Sequence, residues 1–328
     1  RAPIGYVAIA QNEISTNQGF KNLTPNESVI SEYVYYYLLG SKNLAEQSAS
    51  GTTFKEISAT AFSNLPIPLP PLSEQKAIAD KLDDSFAKIE NAITNLINAK
   101  ENLKLYKQSV LKSAFNGDLL PSTSPTHWEV KKLGEICEIN PKTEILLLNE
   151  SDEVSFIPMA SVEAETNIFT ESKSKFSKVK KGYTKFRDND ILFAKITPCM
   201  ENGKICIVNN LKFGIGFGST EFHVIRPNKN TLSKYIYYFV SQISFRQMAQ
   251  IYMTGAVGQR RVPSKILENC EIPLPPLSEQ NLIVAEIDRR FAIVDKTLNL
   301  IDKSIQNAKN LKQSILKKAF SGELRSEI

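Results

Sequence analysis

The nine residues IPLPPLSEQ occupy positions 67–75 and recur unchanged at positions 272–280. Pro70 and Pro71 cannot donate backbone hydrogen bonds, and they hold the chain extended. Ser73 then suits a helix N-cap, and Glu74 is favourable in the first turn, where the helix dipole is positive. The motif therefore predicts an extended segment that leads into a helix, and the chain uses it twice.

The repeat continues at the same offset to the end of each predicted helix. KQSVLKSAFNGDL at positions 107–119 matches KQSILKKAFSGEL at positions 312–324. Apolar residues follow a 4-3 spacing in both copies, and neither Gly nor Pro interrupts them before Gly117 and Gly322, which fit helix C-terminal stops. The pattern predicts two helices of roughly 40 residues, each ~60 Å long.

Helices this long with a narrow apolar seam are seldom stable alone. We therefore expect the two copies to pack on each other as an antiparallel coiled coil. Lys100, Lys107 and Lys312 interrupt the seam, and we expect solvent or another partner to meet the helices there. The alternative, two separate amphipathic helices that each lie on their own domain, stays open.

A globular block lies between the two helices. PSTSPT at positions 121–126 reads as a linker, and Trp128 opens a new domain. Three alternating segments predict strands (DILFAKI at 190–196, KICIVN at 204–209 and EFHVIRP at 221–227), and residues 232–252 predict one amphipathic helix. The shorter block before the first helix repeats the end of this domain more weakly, so we expect it to lack its N-terminal half.

Composition is that of an ordinary globular protein, with 42% apolar and 23% charged residues. No segment approaches the ~20 apolar residues of a membrane span. The four cysteines lie far apart (Cys137, Cys199, Cys206 and Cys270), and the chain has two histidines. Neither a disulfide framework nor a zinc site is expected, which indicates a cytoplasmic protein with free thiols and no membrane partner.

Positive charge is concentrated in residues 171–187, ESKSKFSKVKKGYTKFR, which hold seven Lys or Arg with three aromatic residues interleaved. Lys180, Lys181 and Lys185 belong to this run. Such a run is either solvated surface or a patch that contacts nucleic-acid phosphates. The sequence leaves both interpretations open.

Catalytic motifs are scarce. GIGFGS at positions 214–219 precedes a strand-like run, whereas a cofactor loop needs a helix there, so we expect glycines that join strands or allow close backbone approach. A nuclease could use Glu129 with Lys131, or Asp188 and Asp190 with Lys195, but surface charge is the favoured interpretation.

Two glycine-opened polar loops precede the two proline motifs, SGTTFKEIS at positions 50–58 and TGAVGQRRVPS at 254–264. Arg and Gln side chains read base edges, and hydroxyl groups contact phosphates. The candidate DNA-binding residues in these loops are Gln259, Arg260, Arg261 and Ser264 in the second, with Thr254 nearby, and Thr52, Thr53 and Lys55 in the first. Lys195, Thr220, Lys180, Lys181 and Lys185 complete the candidate set.

The [IL]P[IL]PPLxEQ start and the AFxGxL end of each helix, used twice in one chain, resemble the specificity subunits of type I restriction-modification systems. The resemblance covers essentially the whole chain and departs from the family in the short first block. It implies an α+β fold with two target-recognition domains and two long helices. The implied boundaries are 1–72 for the partial first domain, 73–118 for helix one, 119–127 for the linker, 128–276 for the second domain and 277–324 for helix two.

The resemblance also implies a non-catalytic role. Each target-recognition domain would read one half of a bipartite duplex DNA site, and the helix pair would fix the half-site spacing, with major-groove readers about one DNA turn, ~34 Å, apart. Two methyltransferase subunits and the restriction subunits would be partners. S-adenosylmethionine, ATP and Mg²⁺ are expected on those partners, with no cofactor on this chain, and a homodimer is expected if the first domain is incomplete. The alternatives are an autonomous nuclease or methyltransferase, and a structural coiled-coil adaptor without DNA binding.

Overall fold

The structure is a computed structural model that describes residues 4–51, 55–121, 125–144 and 148–323. The helices are α1 (Ser31–Gly40), α2 (Lys42–Gln47), α3 (Ala59–Ser63), α4 (Leu72–Asn116), α5 (Leu133–Ile136), α6 (Phe176–Val179), α7 (Ser233–Val240), α8 (Ile243–Ile251), α9 (Ser264–Glu268) and α10 (Leu277–Ser321). The strands are β1 (Glu129–Lys132), β2 (Cys137–Ile139), β3 (Glu153–Ile157), β4 (Ser172–Lys175), β5 (Thr184–Arg187), β6 (Ile191–Ala194), β7 (Ile205–Ile207), β8 (Ile215–Gly218), β9 (Phe222–Pro227) and β10 (Glu271–Leu274).

The chain divides into two compact units. Unit 1 comprises Arg1–Asn102 with Lys296–Ile328, and unit 2 comprises Leu103–Asp295, so each unit holds part of α4 and part of α10. The mixed α+β class predicted from sequence is confirmed, as are the two long helices. Within the described ranges, no helix combines the length and the apolar character needed to cross a membrane.

Both long helices begin one residue before the serine of the motif. The carbonyl oxygen of Pro71 accepts a hydrogen bond from the backbone N of Gln75 at 3.0 Å, and Pro276 accepts one from Gln280 in the same way. These bonds make the second proline of each pair the N-cap, because its carbonyl closes the first helical turn. The prediction that Ser73 caps the helix is therefore wrong, whereas the helix itself starts where the proline pair ends.

The glutamine of each motif is a buried anchor. Gln75 and Gln280 each expose 1% of their surface. Gln75 Oε1 accepts a hydrogen bond from Ile30 N at 3.0 Å, and its Nε2 donates to the carbonyls of Ser28 and Pro70. The amide therefore ties the start of α1 to the start of α4 in unit 1.

Gln280 repeats this arrangement in unit 2. Its Oε1 accepts from Leu232 N at 2.9 Å, and its Nε2 donates to Asn230 O at 3.2 Å and to Pro275 O at 2.9 Å. A tyrosine adds a second tie, because Tyr235 Oη donates to the carbonyl of Pro273 at 2.7 Å. The repeated motif thus joins each globular block to its helix through hydrogen bonds between the glutamine side chain and backbone groups.

Within unit 1, α4 and α10 run antiparallel. Lys100 pairs with Asp302 at 2.5 Å, and Lys312 pairs with Glu90 at 2.5 Å. The Lys312 ammonium also lies 4.8 Å from the ring centroid of Phe86. From Glu90 to Lys100 the residue numbers rise along α4, while those of their partners fall from Lys312 to Asp302 along α10, so the two helices are antiparallel.

Unit 2 shows the equivalent contact. Lys107 pairs with Asp295 at 2.5 Å, and its ammonium lies 4.7 Å from the ring centroid of Phe291. The lysines were expected to meet solvent or another partner. That expectation is wrong, because a carboxylate on the facing helix meets each of them.

In its described residues, the globular block of unit 2 contains three sheets with the strand orders β1-β10, β2-β9-β6-β7 and β4-β3-β8-β5. The predicted strands at 190–196, 204–209 and 221–227 are confirmed as β6, β7 and β9. Two glycines of GIGFGS lie in β8, where a Cβ on Gly216 would come within 2.1 Å of the Phe186 ring. The prediction that these glycines permit close approach is confirmed.

The segment predicted as one amphipathic helix is two. α7 and α8 are separated at Gln242, whose backbone is extended with φ −61° and ψ 138°. The break turns aromatic residues of α7 and α8 toward the same core, where Phe239 and Phe245 make an edge-to-face contact with centroids 5.4 Å apart. A continuous helix would separate such residues along its axis, so tertiary packing overrides the helical pattern.

In unit 1, residues 18–26 do not pair into a sheet in the part of the chain that is described. Phe20 is 48% exposed, whereas Phe222, at the equivalent place in β9, is 2% exposed. β9 lies between β2 and β6, and residues 18–26 have no such neighbours among the described residues. A strand-like sequence therefore stays irregular, because a strand needs backbone partners on its edges.

Candidate nucleic-acid interface

A hairpin closed by Thr254 and Arg261 brings several of the predicted residues together on unit 2. The two residues form an antiparallel bridge with backbone hydrogen bonds of 3.0 and 2.8 Å. The residues that follow β6 lie alongside, because Val262 N donates to Lys195 O at 2.9 Å and Thr197 N donates to Arg260 O at 3.0 Å. The hairpin and this segment thus form one continuous surface.

Residues 219–221 between β8 and β9 join this surface. The backbone N of Lys195 donates to the backbone carbonyl of Glu221 at 2.9 Å, and Thr220, the residue before Glu221, is exposed. Lys195 and Thr220 are predicted DNA-binding residues outside the two polar loops. The fold places them beside the hairpin that carries Gln259 and Arg260.

Arg261 is bound within the protein. Its Nε and Nη2 donate to the two carboxylate oxygens of Glu221 at 2.9 and 2.7 Å, and its Nη1 donates to Gln259 O at 2.9 Å. The hydrogen bond from Arg261 lowers the pKa of the Glu221 carboxyl, and partial burial opposes the shift. Arg261 therefore fixes the hairpin, and a direct contact of Arg261 with DNA stays a prediction. Glu221 was missed from sequence, since a lone acidic residue gives no signal there.

Arg260 is different from its neighbour. It is exposed, and no hydrogen bond or ion pair of its side chain occurs among the described residues. Gln259 and Thr254 are also exposed, while Ser264 is half-buried at the start of α9. The hairpin therefore presents one unpaired guanidinium with amide and hydroxyl groups, which suits phosphate and base-edge contacts.

The basic run at residues 171–187 contains β4 and β5 of the sheet β4-β3-β8-β5, whereas the hairpin lies beside the end of β6 in the sheet β2-β9-β6-β7. Lys185 is on β5, opposite Phe217 of β8, and Lys180 pairs with Glu150 at 2.5 Å. Lys181 is exposed. Among the described residues no hydrogen bond or ion pair joins these lysines to the hairpin, so their role as a phosphate patch stays a prediction.

In unit 1 an antiparallel bridge between Ser50 and Glu56 closes the corresponding loop, with hydrogen bonds of 3.0 and 2.9 Å. Lys55 is exposed within it. Thr52 and Thr53 lie outside the described residues. The two loops therefore share a closing bridge, and each precedes one of the two long helices, although their sequences and lengths differ.

Of the carboxylates considered for a metal-dependent nuclease, Glu129 is exposed and pairs with Lys131 at 2.9 Å, whereas Asp188 and Asp190 have structural roles. Asp190 is buried and forms a bidentate pair with Arg226, at 2.7 and 2.6 Å. Asp188 Oδ1 accepts a hydrogen bond from Leu211 N at 2.9 Å. Over the described ranges, no three His, Cys, Asp or Glu residues cluster as a metal site would require. This geometry favours ionic packing over metal chemistry.

His223 supports the hairpin surface from beneath. Its Nε2 donates to the carbonyl of Val262 at 2.7 Å, and its Nδ1 accepts from Asn140 Nδ2 at 3.0 Å. Burial lowers the pKa of His223 below its ordinary value of 6.5, and the charge of Lys195 lowers it further, while the bond to Val262 and nearby Glu268 and Glu221 oppose the shift. The folded protein therefore prefers a neutral ring that donates from Nε2.

This preference predicts a loss of stability in mild acid. Because the pKa is lower in the folded than in the unfolded state, the stabilisation is complete above about pH 6.5 and is lost as the pH falls toward the folded pKa. We expect the thermal midpoint, followed by Trp128 fluorescence, to fall between pH 7 and about pH 5 in the wild type. The slope should flatten in His223→Gln and persist in His127→Gln, which changes the other, exposed histidine. An equal slope in wild type and His223→Gln would contradict the assignment.

These features define a class of protein in which two copies of one motif each join a globular block to a long helix, and the two long helices run antiparallel. A family model described as the type I restriction modification DNA specificity domain matches residues 1–99 and 125–309. The match covers both globular blocks and the larger part of both long helices. The chain belongs to this family.

Individual relatives agree with the family assignment. The specificity subunit of the type I restriction enzyme EcoEI from Escherichia coli is 38% identical over 205 residues, covering 60% of this chain and 34% of that protein. The EcoKI specificity subunit from Escherichia coli (strain K12) is 28% identical over 320 residues, covering 93% of this chain and 68% of that protein. The matched part of this chain thus spans about a third of the length of the EcoEI subunit.

The fold is also found in a solved structure that concerns the complex assembly and conformational transition of the type I R-M system. The similarity has a TM-score of 0.69 at 21% identity, and it covers 88% of this chain and 70% of that one. At this identity the similarity shows the fold alone. It confirms the mixed α/β architecture with long helices.

Proposed function

We propose that this chain supplies the DNA sequence specificity of a type I restriction-modification complex and carries out no catalysis itself. Family membership across both repeats is the observation that carries the proposal. The hairpin surface of unit 2 supports it, because Arg260 stands exposed beside Lys195 and Thr220. Each unit would bind one half of a bipartite duplex site.

The long helices have two roles in the proposal. They would set the separation of the half-sites, since each spans ~67 Å at 1.5 Å per residue. They would also dock two methyltransferase subunits, which would bind S-adenosylmethionine and flip the target base, with restriction subunits, ATP and Mg²⁺ completing the nuclease. Co-purification of the chain with its cognate methyltransferase subunits tests the docking, and failure to co-purify would contradict it.

Arg260→Ala is expected to weaken binding to duplex DNA and to reduce the slope of log affinity against log salt by about one unit, because one phosphate contact is lost. Fluorescence anisotropy of a labelled duplex across a salt series measures both quantities. Lys229→Ala is the matched control. Lys229 is also an exposed cation, but it lies after the C-terminal end of β9, whereas Thr220 and the hairpin surface lie at the N-terminal end. Equal slopes for wild type and Arg260→Ala would rule out a phosphate contact by Arg260.

A further inference from the structure

The tip of the hairpin exposes an apolar side chain. Val257 is 99% exposed. A hydrogen bond from Gln259 N to Ala256 O, at 2.9 Å, closes a β-turn in which Val257 and Gly258 are the central residues. The φ of Gly258 is +80°, as the third position of a type II turn requires. Val257 is therefore held at the apex of a defined turn.

The base of the hairpin is fixed on both sides. The Thr254–Arg261 bridge closes it, and the bidentate pair of Arg261 with Glu221 ties it to the segment before β9. The bond from Thr197 N to Arg260 O ties it to the segment after β6. The apex thus projects from a closed base that is attached to two other segments, which sets its position relative to the rest of unit 2.

Val257 contributes nothing to the turn that carries it. Turn apices ordinarily hold Gly, Pro, Asn, Asp or Ser, each of which stabilises the turn in its own way. Here Gly258 provides the positive φ and Gly255, with φ +119°, provides the other unusual conformation. A β-branched apolar side chain is left with its whole surface in water, so all of that surface is available for a contact outside the chain.

We propose that Val257 is a specificity-determining residue that contacts the 5-methyl group of a thymine in the DNA major groove. The major groove admits a two-stranded ribbon, and the thymine methyl is the apolar group on its base-pair edges. Arg260 lies three residues away and is positioned to contact the flanking backbone or a guanine, while Gln259 offers an amide for adenine. The inference rests on the proposed function and adds that thymine is one of the bases that unit 2 recognises.

The charge around the apex favours DNA over a protein partner. The neighbouring cations are the exposed Arg260 and the half-buried Lys195, and the nearby carboxylate of Glu221 is already neutralised by Arg261. A duplex groove presents phosphates on both sides of its apolar methyl groups, which this arrangement matches. A protein surface on the methyltransferase subunit is the competing occupant, and the experiment below separates the two.

The experiment uses the full chain together with its methyltransferase subunits. Duplexes selected from a random pool by this complex are resynthesised with uracil in place of thymine, which removes only the 5-methyl group. We expect the wild type to bind the uracil duplex about fourfold more weakly, the effect of one methyl-sized apolar contact. Val257→Ala should lose a similar factor on the thymine duplex and show no further loss on uracil.

Val130→Ala is the matched control, because Val130 is an exposed valine on β1 of the same unit. It should retain the wild-type response to uracil. Selection of no duplex by the wild-type complex would overturn the proposed function and this inference with it. Binding with equal uracil sensitivity in wild type and Val257→Ala would overturn the inference alone. Loss of methyltransferase co-purification by Val257→Ala, with uracil sensitivity unchanged, would assign the apex to the protein partner instead.

Discussion

Replacing Gln280 with Met is expected to lower the free energy of unfolding of unit 2 by about 3 kcal/mol or more, at about 1–3 kcal/mol for each buried polar group left without a partner. The groups that lose their partner are the amide of half-buried Leu232, the carbonyl of buried Pro275 and the carbonyl of exposed Asn230, and water can satisfy only the last of these readily. Met matches Gln in length, so the variant removes the hydrogen bonds while it keeps the side-chain volume.

Urea unfolding followed by fluorescence measures this loss, because the single tryptophan, Trp128, lies in unit 2. Gln250→Met is the matched control, since Gln250 is exposed on α8 and its replacement should change stability by at most about 0.5 kcal/mol. A Gln280→Met variant as stable as the control would show that the motif glutamine is not an anchor. In unit 1, Gln75→Met should lower the hydrogen-exchange protection of α1, because Gln75 binds backbone groups at the start of that helix.

Removing the carboxylate of Asp190 is the second large change. Asp190→Ala leaves the Arg226 guanidinium buried without its counter-ion, and breaking a buried pair in this way costs about 3–5 kcal/mol. Asp190 Oδ2 also accepts a hydrogen bond from Arg187 N at 2.8 Å, which the variant loses too. The protein should unfold at a correspondingly lower urea concentration.

A double variant separates the ion pair from simple loss of packing. Asp190→Ala combined with Arg226→Met removes the orphaned charge, so we expect it to be more stable than Asp190→Ala alone. Glu150→Ala breaks an exposed pair with Lys180 in the same unit and should cost at most about 1 kcal/mol. If Asp190→Ala were no worse than Glu150→Ala, the buried pair would have no special structural role.

The long helices could be predicted because their signals are local. The 4-3 spacing of apolar residues, the proline pairs and the terminal glycines each act within a few residues, and Gly117 and Gly322 have the positive φ values of +83° and +85° that helix stops require. The internal repeat then predicted that whatever holds for one copy holds for the other, as Gln75 and Gln280 show.

The features that were missed depend on partners far along the chain. Lys107 looked like an interruption of the seam because its partner, Asp295, lies on the other helix. The motif glutamine carried no visible purpose because its partners are backbone groups about fifty residues earlier, which no side-chain pattern marks. The break between α7 and α8 follows from core packing, which overrides helical periodicity.

The candidate interface was predicted in part. The Arg and Gln residues of the hairpin mark it in the sequence, and the fold brings Lys195 and Thr220 beside it. The sequence does not distinguish Arg260 from Arg261, because the partners that bind the Arg261 guanidinium, Glu221 and the carbonyl of Gln259, are known only from the fold. Val257 was passed over because an apolar residue in a loop signals nothing until its exposure is known.

The most direct test of the central proposal is methylome sequencing of a host that carries the whole restriction-modification system with this chain. We predict methylated bases confined to one split, bipartite sequence, and loss of that methylation when the gene for this chain is deleted. Methylation that persists unchanged after the deletion, or that falls on a continuous site, would contradict the assignment of DNA specificity to this chain.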